Sequence, residues 1–117
     1  MTAAPRPKAD DEAGPVVTPS EFLILLALAP EPAHGYRIMQ LINDVFSTET
    51  RIGPGTLYRA LRRLCDNALI VELADDSEED ERRRLYRLTR QGQAVARREL
   101  KRLEGLSRLA RAQLAGR

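Results

Sequence analysis

The spacing of the apolar residues changes along the chain, and this change limits the folds that the sequence can adopt. Up to Asn67, apolar residues recur at steps of three and four, as on one face of a helix. After Asn67 they recur at steps of two, which is typical of strands. A chain of 117 residues, 43% hydrophobic and 31% charged, is long enough for one compact domain. The pattern therefore predicts a set of helices followed by a small sheet.

The first helix begins with three signals in register. Thr18 is suited to the N-cap, and Pro19 is suited to the first helical position. Glu21 lies where a capping box has its acidic residue. The apolar run Phe22 to Ala29 follows, and the prolines after it end the helix. Because this segment is apolar nearly all round, we expect it at the centre of the core. It is too short to cross a bilayer.

Two further helices precede the change in spacing. One is predicted from about Gly35 to Phe46, and Pro54 opens the next one within the turn Ile52 to Thr56. On that third helix, Leu57, Leu61 and Leu64 share the core-facing side. The opposite side is then basic and carries a hydroxyl, with Tyr58, Arg59, Arg62 and Arg63.

Two short strands follow, and they predict an antiparallel hairpin. The runs Leu69 to Leu73 and Arg84 to Leu88 flank a polar loop over 74–83, and Asn67 is expected to take the left-handed conformation that ends the third helix. Three helices and a hairpin give a winged helix domain, whose second and third helices form the helix-turn-helix pair. The predicted fold class is mainly α with a small β-hairpin, thus α+β.

A last helix is predicted from the cap Thr89 to about Leu114, nearly 40 Å long at about 1.5 Å per residue. Its apolar residues are spaced as in a coiled coil, so we expect it to pair with a second copy, although folding back on its own domain is the alternative. The predicted dimerisation residues are Ala96, Leu100, Leu103, Leu106, Ala110 and Leu114. The predicted organisation is a disordered tail over 1–17, a winged helix domain over 18–89 and a dimerisation helix over 90–117.

The net charge of +2 conceals large local differences. The segment Gly35 to Arg63 carries +3, Glu72 to Glu81 carries −7, and Arg82 to Arg111 carries +9. Clustered arginines are typical of a surface that binds phosphate, although a charged segment is often only a solvated face.

The sequence argues against an enzyme. His34 is the only histidine and Cys65 the only cysteine, so no metal set or nucleophile with its base can be assembled. We interpret His34 as a turn or capping residue and Cys65 as a packed or partly exposed thiol. No cofactor, metal or membrane anchor is expected. A single cysteine and the lack of a signal sequence favour the bacterial cytoplasm.

Four segments resemble the PadR family of transcriptional regulators. These segments are 18–28, 34–38, 53–64, and 82–89 with Gly92. They lie in the family's order and spacing and cover roughly residues 18 to 95. The third segment, 53–64, is the most specific. With one C-terminal helix, the chain resembles the short subgroup. The resemblance implies a dimeric winged helix repressor on a two-fold operator, sometimes released by a small molecule. Two departures are Ala68, where the family usually has glycine, and the acidic wing.

The third helix is expected to enter the major groove of double-stranded DNA, with its first turns nearest the bases. We expect the acids of the wing to point away from DNA while its arginines face it; a wing without DNA contacts is the alternative. The predicted DNA-binding residues are Tyr36, Arg37, Gly53, Gly55, Thr56, Tyr58, Arg59, Arg62, Arg63, Arg82, Arg83 and Arg84.

One functional alternative stays open at this point. A winged helix with an acidic wing is also suited to binding a basic protein partner instead of DNA. An effector pocket at the dimer interface would be aliphatic, because the last helix has no aromatic residue and the chain no tryptophan.

Overall fold

The computed structural model describes residues 14–46, 48–73 and 84–116. The elements in chain order are α1 (Pro19–Leu28), β1 (Ala33–His34), α2 (Gly35–Gln40), a π-helical turn (Leu41–Val45), α3 (Pro54–Asp66), β2 (Ile70–Leu73), β3 (Leu85–Leu88) and α4 (Arg90–Ala115). This is a winged helix domain followed by a long helix, and it confirms the predicted fold class.

Helix α1 lies at the centre of the core, as its composition predicts. Both bonds of the capping box are present, since Glu21 N donates to Thr18 Oγ1 at 3.1 Å and Thr18 N donates to Glu21 Oε1 at 2.9 Å. Ile24 and Leu25 are fully buried. They belong to a single hydrophobic cluster that also takes in residues of the π-helical turn, α3, the sheet and α4.

The sheet has one strand more than the sequence predicts. Its order is β1-β3-β2, with both pairings antiparallel. The pairing of β2 with β3 sets Ile70 opposite Leu88 and Leu73 opposite Leu85, which confirms the hairpin to within one residue. The added strand β1 consists only of Ala33 and His34. The sequence gives no signal for this strand, because a run of two residues is too short to show a periodic spacing.

A side-chain amide holds the connection between α2 and α3. Asn43, in the π-helical turn, donates from Nδ2 to Ile52 O and accepts from Ile52 N on Oδ1, both at 2.8 Å. Arg51 Nη1 also donates to Asn43 O at 3.0 Å. Asn43 therefore pairs with Ile52 as a neighbouring strand would. The start of α3 is fixed relative to α2 although a loop joins them.

The passage from α3 into β2 corrects one prediction. Asn67 has an ordinary φ of −92°, and Ala68 takes the left-handed conformation with a φ of 61°. Ala68 thus occupies the left-handed position itself, at the place where the family usually has glycine. The bonds from Ala68 N to Cys65 O and from Leu69 N to Leu64 O close the end of α3, both at 3.0 Å.

The start of α4 is pressed against this passage. Thr89 Oγ1 accepts from Gly92 N at 2.9 Å and donates to Ala68 O at 2.7 Å, while Thr89 N donates to Leu69 O at 3.0 Å. A Cβ atom added to Gly92 would overlap the Leu69 carbonyl and lie 2.7 Å from Leu88 Cδ1. The first turn of α4 therefore requires glycine at position 92.

The described chain begins inside the segment that the sequence assigns to the tail. Gly14 and Pro15 contact α4 through Arg98, and Val17 is only 7% exposed and belongs to the core. Residues 1–13 lie outside the described residues. Gly92, Val95 and Glu99 of α4 are also buried, so the first part of this helix belongs to the winged helix domain.

We predict that Gly92→Ala lowers the free energy of unfolding by about 1 to 3 kcal/mol, because the added methyl group would overpack the contact with Leu69. Gly105→Ala is the matched control on the same helix, where the nearest neighbour of an added Cβ atom is 3.9 Å away. This control should raise stability by about 0.5 to 1 kcal/mol, the usual gain of alanine over glycine in a helix. Urea denaturation compares the two, and equal stability of both variants would contradict the role assigned to Gly92.

Candidate nucleic-acid interface

Helix α3 presents two different sides. Leu57, Leu61 and Leu64 are 0% to 1% exposed and form its inner side. Arg59 and Arg62 are exposed on the opposite side, three residues apart and so adjacent on the helix surface. Arg59 Nη2 makes a long bond of 3.5 Å to Thr56 Oγ1. The exposed arginines Arg59 and Arg62 thus lie on the side of α3 opposite its buried leucines.

The first turn of α3 is open at its N-terminus. The N-cap Gly53 has no side chain to bond the first amides, and Gly53, Gly55 and Thr56 are all exposed. A Cβ atom at Gly53 would meet nothing within 4 Å, and the φ of −96° suits any residue. The turn itself does not require glycine at position 53. The main effect of this glycine is to leave the helix terminus, with its partial positive charge, accessible.

Tyr58 lies elsewhere than the sequence predicts. Its hydroxyl is shielded from solvent and does not lie on the outer side of α3. A Cβ atom on Gly35 would lie 2.8 Å from the Tyr58 hydroxyl and 3.0 Å from its Cε1. The ring thus packs over Gly35 at the start of α2 and holds α2 against α3. The prediction failed because Tyr58 lies at the edge of the apolar side, where spacing alone does not decide burial.

Arg63 is turned towards α1. Its Nη1 donates to Glu21 Oε2 at 2.6 Å, and the Glu21 side chain is 5% exposed while that of Arg63 is 49% exposed. The hydrogen bond and the charge of Glu21 raise the pKa of Arg63. Glu21 therefore caps α1 with one oxygen and holds α3 with the other. The sequence predicts the first role through the capping box but gives no signal for the second, since the partners are 42 residues apart.

The start of α2 carries two exposed side chains from the predicted set. Tyr36 is 57% exposed, which decides against a core role. Arg37 is exposed and donates to Gln40 Oε1 at 2.8 Å. His34 occupies the N-cap of α2 without a side-chain cap bond.

The described part of the wing pairs a base with an acid. Arg84 Nε lies 3.4 Å from Glu72 Oε2. Arg82 and Arg83, predicted to face DNA, lie outside the described residues, as does most of the acidic run. A crevice of about 140 Å³ separates α3 from the wing and is lined by Tyr58, Leu61, Arg62, Cys65, Glu72, Arg84 and Tyr86. Burial and the nearby acids Glu72 and Asp66 raise the pKa of the Cys65 thiol, which disfavours the reactive thiolate.

Beyond Glu99, α4 leaves the domain. Ala96, predicted as part of the dimerisation set, is half-buried and packs against the domain's own core. The leucines that follow are 38% to 80% exposed, and they are Leu100, Leu103, Leu106, Leu109 and Leu114. Ala110 is exposed as well. We call residues 100–115 the arm, since within the described chain it is helical and largely exposed.

Comparison with known proteins identifies the class and the family. A winged helix domain with a basic third helix has the architecture of nucleic-acid-binding regulators. The sequence model of the transcriptional regulator PadR-like family matches residues 24–98, and the chain belongs to this family. The family consists of transcriptional regulators rather than enzymes, as the sequence predicts.

Solved structures share the fold. A PadR family transcription regulator from Clostridium difficile has a TM-score of 0.68 at 23% identity, over 81% of this chain and 97% of that one. A transcriptional regulator from Clostridium thermocellum has a TM-score of 0.67 at 27% identity, and the match covers 79% of this chain and 89% of that one. Bacillus subtilis PadR, solved in complex with operator DNA, has a TM-score of 0.60 at 20% identity, and the match covers 68% of this chain and 45% of that one.

A protein in transposon TN4556 of Streptomyces fradiae, described as an uncharacterized 37.1 kDa protein, is 40% identical over 88 residues. These residues are 75% of this chain, whereas the chain spans only 24% of the length of that curated relative. Among the described residues, no helix is long and apolar enough to cross a membrane. The same residues contain no group of three or more His, Cys, Asp or Glu that could hold a metal ion.

We predict that Arg63→Ala and Glu21→Gln each lower the urea midpoint of unfolding, because each removes the tie between α1 and α3. The double variant should lose less than the sum of the two, since the pair can be broken only once. Arg59→Ala, on the outer side of the same helix, should leave the midpoint unchanged. Strict additivity of the two single effects would show that the pair contributes nothing to stability.

Proposed function

We propose that the chain is a DNA-binding transcriptional regulator, a repressor that acts in the cytoplasm as a homodimer on a two-fold operator. The observation that carries the proposal is the outer side of α3, where Arg59 and Arg62 are exposed beside an open helix terminus. Membership in the PadR-like family supports it. The Bacillus subtilis relative of the same fold was solved with operator DNA.

In the proposed complex, α3 lies in the major groove with its first turn towards the DNA. The amides of Gly55 and Thr56 at the helix start would bind a backbone phosphate, and the lack of a side chain at Gly53 leaves room for it. Arg59 and Arg62 then reach phosphates or guanine edges from the outer side. Tyr58 and Arg63 act indirectly, because their contacts with Gly35 and Glu21 fix the direction of α3.

Backbone contacts on either side of α3 complete the proposed interface. The exposed Tyr36 and Arg37 at the start of α2 are suited to the phosphates that flank the groove. On the wing, Arg84 is already paired with Glu72, so its attraction for phosphate is weakened. We therefore assign most of the affinity to the helix-turn-helix and a smaller part to the wing.

The proposed dimer forms through the arm. Five leucines that are 38% to 80% exposed on one 26-residue helix form an apolar surface that a second copy of the helix would bury. Two paired arms would hold the two α3 helices about 34 Å apart, which is one turn of DNA. Repression would follow from occupation of the promoter, and an effector between the arms would act by changing this separation.

Fluorescence anisotropy with the promoter upstream of the chain's own gene and with a scrambled duplex tests DNA binding across salt concentrations. We expect a promoter preference on the order of a thousandfold. Arg59→Ala with Arg62→Ala removes four phosphate-facing arginines from a dimer, so the slope of log affinity against log salt should fall by about 3 to 4. Affinity at moderate salt should fall on the order of a hundredfold or more.

The matched control is Lys101→Ala with Arg108→Ala, which removes the same charge from the exposed side of the arm. We expect this control to bind the promoter with nearly the parent affinity. Weak binding that is equal for both duplexes and insensitive to Arg59 and Arg62 would refute the proposal. That result would favour the acidic wing as the site of a basic protein partner.

The dimer is tested by sedimentation equilibrium. The parent chain of 13.1 kDa should have twice that mass at micromolar concentration. Leu100→Ala with Leu103→Ala should weaken the association at least on the order of a hundredfold, since four leucines per dimer lose buried area. The Lys101→Ala, Arg108→Ala control should remain dimeric. A parent that sediments as a monomer at every concentration would rule out the arm as an interface.

A further inference from the structure

Arg98 connects two parts of the fold that are far apart in sequence. Its Nη1 donates to Gly14 O at 2.9 Å and its Nη2 donates to Pro15 O at 2.7 Å, across 84 and 83 residues. A guanidinium has two parallel donors in fixed geometry and so suits two successive carbonyls. We call residues 14–17 the strap, because they run from this contact to the N-cap of α1.

The strap is held at both ends. At one end, Gly14 has a φ of 93°, and a Cβ atom there would lie 2.9 Å from Gln91 Nε2 and 3.2 Å from Val95 Cγ2. A side chain at position 14 is therefore excluded by conformation and by contact with α4. At the other end, Val17 is buried in the core immediately before the capping box of α1. The strap thus links Arg98 to the core of the winged helix domain.

Arg98 lies next to Glu99, the last buried residue of α4. Thr89 and Gly92 fix the first turn of α4, Val95 packs in the core, and Arg98 adds a polar contact about 9 Å beyond Gly92 at about 1.5 Å per residue. The neighbouring ion pair, Glu99 with Arg102 at 2.7 Å, lies within α4 and does not tie the helix to the rest of the domain. From Leu100 onward the helix is the arm.

The arm extends from the Arg98 contact and acts as a lever. Its 16 residues are about 24 Å long. A change of about 10° in the angle of α4 would move the end of the arm by about 4 Å, which is close to the spacing of about 3.4 Å between base pairs. In the proposed dimer the arms are paired with each other, so the same change of angle would move the two α3 helices relative to one another.

We infer that Arg98 is a positioning residue for operator recognition: by clamping the strap it fixes the angle between α4 and the winged helix domain, and with it the distance between the two α3 helices of a dimer. This inference rests on the proposed function. It assigns the choice of half-site spacing to a contact remote from the outer side of α3.

Pulsed electron paramagnetic resonance measures the distance directly and without DNA. The full chain carries Cys65→Ala and Asp66→Cys, which places one spin label at the exposed end of each α3. We expect a narrow distribution of label distances in this background and a distribution at least twice as wide with Arg98→Ala. Arg98→Lys keeps the charge but loses the paired donors, and should give an intermediate width.

Arg97→Ala is the control, since Arg97 is the exposed neighbour on the same helix and should leave the distribution narrow. A dimeric Arg98→Ala protein with the narrow distribution of the background would overturn the inference. If Arg98→Ala does not fold, Arg98→Lys decides by the same comparison. Absence of any dipolar signal in the background would instead mean that the proposed dimer does not form, and the inference would fall with it.

Operator spacing provides the second measurement. Adding one base pair between the half-sites should lower the affinity of the parent about tenfold or more, because half-site separation is set by the dimer. For Arg98→Ala the added base pair should lower the affinity by less than about threefold, since the looser dimer fits the original and the lengthened operator about equally. Equal losses for the two proteins would show that Arg98 does not select the spacing.

Discussion

The contact between the first turn of α4 and the Leu69 carbonyl is the constraint on which the arrangement of the other elements depends. Leu69 ends the connection from α3 and begins the wing, so its carbonyl belongs to two elements at once. Thr89 N donates to this carbonyl at 3.0 Å, the Thr89 hydroxyl oxygen lies 3.0 Å from it, and Gly92 approaches it more closely than any side chain would permit. A single carbonyl thus fixes α3, the wing and α4 relative to one another.

The charge of the helix-turn-helix region is partly used inside the protein. Of its arginines, Arg63 binds the buried Glu21, Arg51 binds the Asn43 carbonyl and Arg37 binds Gln40. The exposed arginines on the outer side of α3, Arg59 and Arg62, are the centre of the proposed nucleic-acid surface. Arg63 and Arg51 still serve recognition, because their bonds hold α3 and the connection that precedes it in position.

The sequence predicts those features that depend on neighbours along the chain. Caps at Thr18 and Thr89, the leucines of α3 and the hairpin follow from local spacing, and the structure contains all of them. The features that the sequence does not predict depend on partners that are distant along the chain. The bond of Arg63 to Glu21, the strap under Arg98 and the packing of Tyr58 on Gly35 have no periodicity of their own. Ala68 took the left-handed position expected of Asn67 because the helix ended one residue later than its capping preference indicates.

The arm has a consequence for how a promoter would respond to the amount of protein. The arm continues a helix whose first part is docked on the domain, but most of its own residues are exposed, so an unpaired arm lacks the support of tertiary packing. In the proposed dimer, association of two copies stabilises the arm, and its extent depends on concentration by mass action. At low concentration, the population able to bind a two-fold operator grows with the square of the number of chains. A regulator built in this way switches its promoter over a narrower range of expression than a monomer would.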